Sequence, residues 1–410
     1  MSDVEERPPA AAGRAPTKRY EARRNAIIAS AVEVVNRRGV RGMTLGDVTA
    51  SLNLVPTGVI YYFKNKEELA AAAFLRALER YEALIAAAMA APQADRVSAF
   101  VADYFDFRRR VEVGEAEEIA LFNDVRALGC RAVNEAYVEM FRRARGLLPG
   151  CAGLSRDQRN TRAHLLLSQL SWANGWLDRW EPDDYGRVAA RVESVLLDGL
   201  TAPGRPLPAA RPITLVDPEA RDARSSPEMF LRAATQLIND EGYHGASVER
   251  ISARLNVSKG AFYHHNETKD ELVEACFQRT FDLMWRAIRE AEAAGGSGLQ
   301  VLVSLAHALV VHQVQGDAPL LRTSALTTVP EAIHARLMDK IQRITLRFSS
   351  IVNDGVADGS IRPVDTAIAA QMITGAVNAV AELHFWAPGV TADTVDEHVL
   401  KPLFAGLRTH

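Results

Sequence analysis

Cysteine is scarce. The 410 residues hold Cys130, Cys151 and Cys276, an odd number with no Cys-x-x-Cys spacing. That argues against a disulfide framework and fits a reducing cytoplasm. The N-terminus has no apolar signal region. Long apolar runs are missing too: the most apolar stretches, 301–311 and 367–383, contain His307 in one case and Gln371 and Asn378 in the other. Both read as core helices, with no membrane partner expected. Catalytic spacing is absent: there is no GxxxxGK[ST], GxSxG, HExxH or strand-GxGxxG-helix unit. The chain is therefore read as not an enzyme, with no cofactor and no metal site; His307 and His312, five apart, do not share a helical face. A strong charge of one sign is lacking as well. A net charge of −3 does not advertise nucleic-acid binding and does not exclude it, because the electrostatic footprint is a local patch.

The sequence does contain a repeat. At a fixed, ungapped offset of 203 positions Ala31/Ala234, Asn36/Asn239, Gly39/Gly242, Gly42/Gly245, Leu52/Leu255, Asn53/Asn256, Lys66/Lys269, Glu68/Glu271, Leu69/Leu272 and Phe74/Phe277 are identical. That period is far too long for a solenoid and means two whole domains. The clearest copy is 242–272. Gly242 fits a helix stop, where a left-handed residue is cheapest as glycine. Ser247 caps a helix whose Val248, Ile251 and Leu255 share one face. Asn256 tolerates a left-handed turn. Ser258 caps a short helix bearing Lys259, Tyr263, His264 and His265, and Lys269 opens the next. A helix, a tight turn and a second helix with polar side chains form a helix-turn-helix.

On those residues the stretch resembles the DNA-binding head of the TetR (tetracycline-repressor-like) family, with Val257 to His265 as recognition helix. Asn266 departs from the family's usual Phe. In the first copy Thr44 caps helix two with Asp47 three residues on, and Asn53 makes the turn. There Val55 stands in place of the capping Ser, partly offset by Pro56 at the first helical turn, and Ile60 in place of the usual Tyr. The resemblance implies an all-α fold: two tandem domains, each a helix-turn-helix head on a helical ligand-binding and dimerisation body. It implies DNA contacts from Thr44, Thr57, Tyr61, Tyr62, Ser247, Ser258, Lys259, Gly260, Tyr263 and His264, with Lys66 and Lys269 on phosphates. The second head is expected to carry more of the affinity, since Ser258 caps its recognition helix and Lys259 adds a charge.

Taken in order, 1–17 is expected to be a disordered tail. A basic cluster of Arg14, Lys18, Arg19, Arg23 and Arg24 follows, placed to reach phosphates or a minor groove. The first head is 18–69 and the first body 70–200; 201–226, crowded with five prolines, is a linker; the second head is 227–272 and the second body 273–410. Helical periodicity gives body helices at 67–91, 95–112, 115–128, 131–148, 157–180 and 184–200, then at 270–294, 299–315, 318–328, 331–354, 364–386 and 392–407. The Arg108-Arg109-Arg110 and Arg142-Arg143 runs read as solvated faces.

An unknown small-molecule effector is the second partner implied by the family. Phe100, Tyr104, Phe107, Phe122, Trp172 and Trp176 are candidates to line a pocket in the first body. Trp285, His307, His312, Met338 and His384 are candidates in the second. Aromatics at helical spacing equally suit a core, and two identical pockets are not expected. The resulting reading is a cytoplasmic transcriptional regulator, a repressor, that holds a pseudo-palindromic double-stranded DNA operator through two non-identical heads and is released by its ligand. The two bodies are expected to pair within one chain through 157–180 with 184–200 and 364–386 with 392–407, giving an intramolecular pseudo-dimer; a further homodimer with four heads is the competing arrangement. The alternative function is a ligand-binding or protein-interaction module that has lost DNA binding in one or both heads.

Overall fold

A computed structural model of the chain describes residues 17–150, 153–215, 227–258, 260, 268–316, 319–322, 329 and 331–408. Among them secondary structure is helical, apart from one isolated antiparallel bridge, Thr201 to Ile361. The first copy runs α1 Lys18–Gly42, α2 Leu45–Ala50, α3 Pro56–Ile60, α4 Lys66–Met89, α5 Arg96–Glu112, α6 Arg131–Ala144, α7 Arg156–Ala173 and α8 Tyr185–Asp198. The second runs α9 Pro227–Gly245, α10 Val248–Leu255, α11 Lys269–Ala294, α12 Gly298–Gln315, α13 Glu331–Ala357, α14 Thr366–Ala379, α15 Leu383–Trp386 and α16 Lys401–Phe404.

Local chemistry builds both heads alike. Gly39 (φ 68°) and Gly242 (φ 73°) interrupt the first helix of each copy at the same place, a conformation that favours glycine. Thr44 and Ser247 accept the backbone N–H three residues on, from Asp47 at 3.1 Å and Arg250 at 3.3 Å. Asn53 (φ 51°) and Asn256 (φ 54°) take the left-handed turn. Thr17, placed by sequence in the tail, caps α1 through Tyr20 N–H.

Two body segments depart from the helical reading. Residues 117–121 have no helix and continue into a 3-10 turn at Phe122–Leu128, and 319–322 are likewise non-helical. Long-range side chains account for it. Asn36 Nδ2 donates to the Ile119 carbonyl (3.0 Å) while its Oδ1 accepts from Leu121 N–H (2.9 Å). Asn239 does the same with the Leu320 carbonyl (2.9 Å) and Arg322 N–H (2.9 Å). Each head is thus clamped to its body by one asparagine. Arg108, read as solvated, has a side chain only 12% exposed and pairs with Glu118, at 2.5 Å for one nitrogen, fixing the start of the same segment. Removing either clamp leaves a buried donor and acceptor unpaired. Asn36→Ala and Asn239→Ala should each cost about 1–3 kcal/mol in urea unfolding; a cost near zero would mean the segment is held by something else.

The two copies pack against each other by reciprocal contacts, the mark of a two-fold relation. Where the heads touch, a Cβ on Gly42 would meet the His244 ring at 2.5 Å, and one on Gly245 would meet Arg41 at 3.0 Å; 41 and 244, like 42 and 245, are counterparts. Arg41 also reaches Glu241 at 3.1 Å. Between the bodies, α7 crosses α14. Gln169 donates to the carbonyl of Met372 (2.7 Å), and Trp172 covers Gly375, where a Cβ would come within 2.7 Å of the indole. At the far end, Gly199 (φ 66°) and Gly406 (φ 89°) abut so closely that a Cβ on either would lie 2.3–2.4 Å from a carbonyl oxygen of the other copy. Backbone bonds join the two ends there: Leu200 N–H to Phe404 O, Leu407 N–H to Leu196 O and Arg362 N–H to Leu200 O.

The first part of the proline-rich stretch is not free chain. Arg211 donates to Ser304 Oγ (3.0 Å) and to the Gly295 carbonyl (2.8 Å), Gln300 donates to the Ala209 carbonyl (2.8 Å), and Leu215 is buried. Residues 201–215 therefore lie along the second body.

Candidate nucleic-acid interface and effector cavity

In the first head, α3 starts without a side-chain cap, since Val55 has no oxygen to accept with, and Pro56 opens it. Only Val59 of its five residues is buried. Thr57 and Tyr61 are exposed, Tyr61 at 75%. Tyr20 of α1 packs on Tyr61 (centroids 6.0 Å) and Tyr62 (4.8 Å). This brings the exposed Lys18, Arg19 and Arg23 of the first turns of α1 beside the aromatic end of α3. Arg24 lies over Phe63 at 5.2 Å. The result is a local basic and aromatic surface on a chain of slightly negative net charge.

The second head has Ser258 and Gly260 exposed; Lys259, Tyr263 and His264 lie outside the described residues. Its α9 lacks the basic start, because Glu228 engages both Arg232 (3.1 Å) and Arg279 (2.6 Å).

The lysines expected on phosphates are turned onto the protein instead. Lys66 Nζ donates to the carbonyls of Met43 (3.2 Å) and Arg41 (3.3 Å), closing the end of α1. Lys269 Nζ sits 3.9 Å over the Tyr243 ring, and burial lowers its pKa. Thr44 spends its hydroxyl locally, donating to Asp47 Oδ2 at 2.7 Å.

Between the bodies lies a cavity of about 350 Å3. The first copy lines it with Phe122, Tyr137, Phe141, Trp172 and Trp176, the second with Arg322, Met338, Gln371, Glu382 and Trp386. Aromatic contacts join the halves: Phe141 stacks on Trp386 with centroids 3.7 Å apart, and Tyr137 meets the same ring at 5.5 Å. His164 Nε2 lies 2.7 Å from the Ala379 carbonyl. That bond requires the Nε2–H tautomer, and burial lowers the ring's pKa, keeping it neutral.

Of the side chains the sequence suggested, Phe122, Trp172, Trp176 and Met338 do line this cavity, together rather than in two separate pockets. His384 lines a neighbouring one. The others are elsewhere. Phe100, Tyr104 and Phe107 are core, with Tyr104 Oη 3.2 Å from Asn174. His307 pairs with Asp396 near the surface, and Trp285 is a half-buried residue of α11. His312 is buried. Sequence reading missed Tyr137, Phe141, Arg322 and Trp386, which come together only because two copies meet.

An exposed aromatic-basic surface beside a helix-turn-helix, carried on helical bodies, defines a DNA-binding transcriptional regulator. The family model "Bacterial regulatory proteins, tetR family" matches residues 27–73 and again 230–276, and "Tetracyclin repressor-like, C-terminal domain" matches 277–384. The chain belongs to the TetR family and carries two tandem copies of its DNA-binding domain. It is similar to the transposon Tn10 TetC protein of Escherichia coli, 23% identical over 154 residues, 37% of this chain and 76% of that one. It also resembles the transcriptional activator FasR of Mycolicibacterium smegmatis (38% over 71 residues; 17% and 32%) and the transcriptional repressor DhaR of Mycobacterium sp. (26% over 136 residues; 32% and 68%). Among solved structures, apo AibR aligns with a TM-score of 0.37 at 20% identity, covering 44% of this chain and 98% of that one.

Proposed function

We propose that one chain acts as a complete operator-binding unit: a cytoplasmic transcriptional repressor whose two unlike heads read two unlike half-sites and let go when an effector binds between the bodies. The observation that carries this is the packing of the two copies on each other, reciprocal at Gly42/Gly245 and at Gly199/Gly406, with Trp172 against Gly375 between them. Contacts that a family dimer makes between chains are here made within one. The two heads differ at nearly every outward position of their recognition helices, so the preferred operator is an imperfect palindrome. Half-sites in successive major grooves would be centred about 34–36 Å apart. Effector binding acts as a population shift, favouring a body conformation whose heads no longer fit both grooves.

Selection from random DNA, followed by light scattering of the complex, tests this. The expected result is an unsymmetrical site carrying one 44.9 kDa chain. A stable dimer of chains on a perfect palindrome would overturn it. The uncapped five-residue α3 favours a second reading in which the first head contributes little base readout. Gel shifts at two salt concentrations separate the readings, because a head that touches only phosphates loses affinity steeply with salt and shows little sequence preference.

A further inference from the structure

The cavity between the bodies shares a wall with a second, of about 520 Å3, that opens against the second head, where Gln236, Asn239 and Arg254 line it. Arg322 and Glu382 line both. Arg322 is tied at each end. Its backbone N–H donates to Asn239 Oδ1 (2.9 Å) and its guanidinium to the Asn239 carbonyl (3.3 Å); the same guanidinium also pairs with Glu382. It therefore joins the cavity wall directly to the first helix of the second head. The equivalent position in the first copy is Leu121, which makes the same backbone bond to Asn36 but has no charge to offer. Inside the second body the cavity lined by Phe277, Phe281 and Met284 is about 20 Å3, room for roughly one water.

The charge around the shared wall favours an anion. In the outer cavity the carboxylates of Glu382 and Asp240 face three cations, Arg322, Arg126 and Arg254, and Arg126 itself lies over the rings of Phe385 (4.1 Å) and Trp386 (5.0 Å). His334 also lines the inner wall, where Asp178 and Arg179 offset each other.

We propose that this cavity takes one organic anion per chain, with its apolar or aromatic body against Trp172 and Trp386 and its carboxylate on Arg322, and that the ligand is signalled to the second head alone. A carboxylate matches the guanidinium fork and competes with Glu382 for it, and Arg126 on the same outer wall offers the displaced Glu382 another cation. Capturing Arg322 disturbs its hold on Asn239 and so loosens α9, while the Asn36 clamp on α1 is untouched. The regulatory half of this rests on the reading of the chain as a ligand-responsive DNA-binding protein; the binding half does not.

The test uses the full chain, with 2-naphthoate and 8-phenyloctanoate as probes, each beside its primary amide. Binding is read by quenching of tryptophan fluorescence. At least one carboxylate should saturate at one per chain and bind about tenfold tighter than its amide, the size of a charge-assisted bond. Arg322→Met should abolish that preference, Glu382→Gln should strengthen carboxylate binding, and Met338→Trp, which fills the cavity from α13, should block both probes. Hydrogen exchange should then show faster exchange in 236–243 and no change in 33–40 when the carboxylate is bound. Two equivalent sites, carboxylates no tighter than their amides, or equal responses in the two helices would overturn the proposal. A gel shift without ligand is run in parallel, so that loss of DNA binding, which would sink the functional reading, is told apart from failure of the cavity to bind.

Discussion

Replacing Gly375 by tryptophan is expected to force the two bodies apart, and adding Trp172→Gly is expected to bring them back together. Gly375 has no space above it: even one carbon would sit 2.7–2.8 Å from the Trp172 indole and 2.9 Å from Gln169 Oε1. A second indole there has nowhere to go within a packed interface, where a few excess methylenes already cost about 1–3 kcal/mol. Trp172→Gly alone opens a hole and should cost roughly 3 kcal/mol, toward the low end for losing an indole because Trp172 is only partly buried. The double exchange moves the indole to the other side of an approximate two-fold axis and should restore most of what each single change loses. Chemical unfolding of the four proteins, with small-angle scattering for the separation of the halves, decides it. If the double variant is no better than Gly375→Trp alone, the two positions do not face one another across an axis.

Neutralising Lys18, Arg19 and Arg23 together to glutamine should weaken operator binding about a hundredfold near physiological salt and flatten the salt dependence by about 2–3 in the log–log slope, since each phosphate contact contributes roughly 0.9 to it. All three are exposed beside the recognition helix. Lys66→Ala is the contrasting variant. Its ammonium closes the end of α1, so it should lower stability and leave the slope nearly unchanged. Titrations at several salt concentrations check both; an unchanged slope in the triple variant would remove the basic cluster from the interface.

The heads were legible in the sequence because what shapes them is local. A hydroxyl three residues from an N–H, a glycine at a positive φ and an asparagine in a left-handed turn can be read from neighbours in the chain. The composition of 115–128 and 318–328 permits a helix throughout. What holds 119–121 and 320–322 extended is an asparagine more than 80 positions away, and no window of sequence contains both partners. The cavity was half legible for the same reason. Phe122, Trp172, Trp176 and Met338 stood out as large side chains on helical faces, but their assembly into one space needed the two copies to be set face to face. The lysines illustrate a different limit: charge and position along a helix suggest a phosphate contact, while only the fold shows that carbonyls or a ring already hold the ammonium.

The knot of backbone bonds where Leu196–Leu200 meets Phe404–Arg408 has a consequence for how the protein is made. The first copy is finished once α8 has left the ribosome, but the helix that covers α7 and the residues that close this knot come some 160–210 positions later. At about 5–20 residues per second, the first body waits on the order of 10–40 s with its mating face uncovered. During that interval a neighbouring nascent chain on the same messenger offers the face a competitor. Synthesis rate and ribosome spacing, rather than equilibrium affinity, then decide how much of the protein closes upon itself.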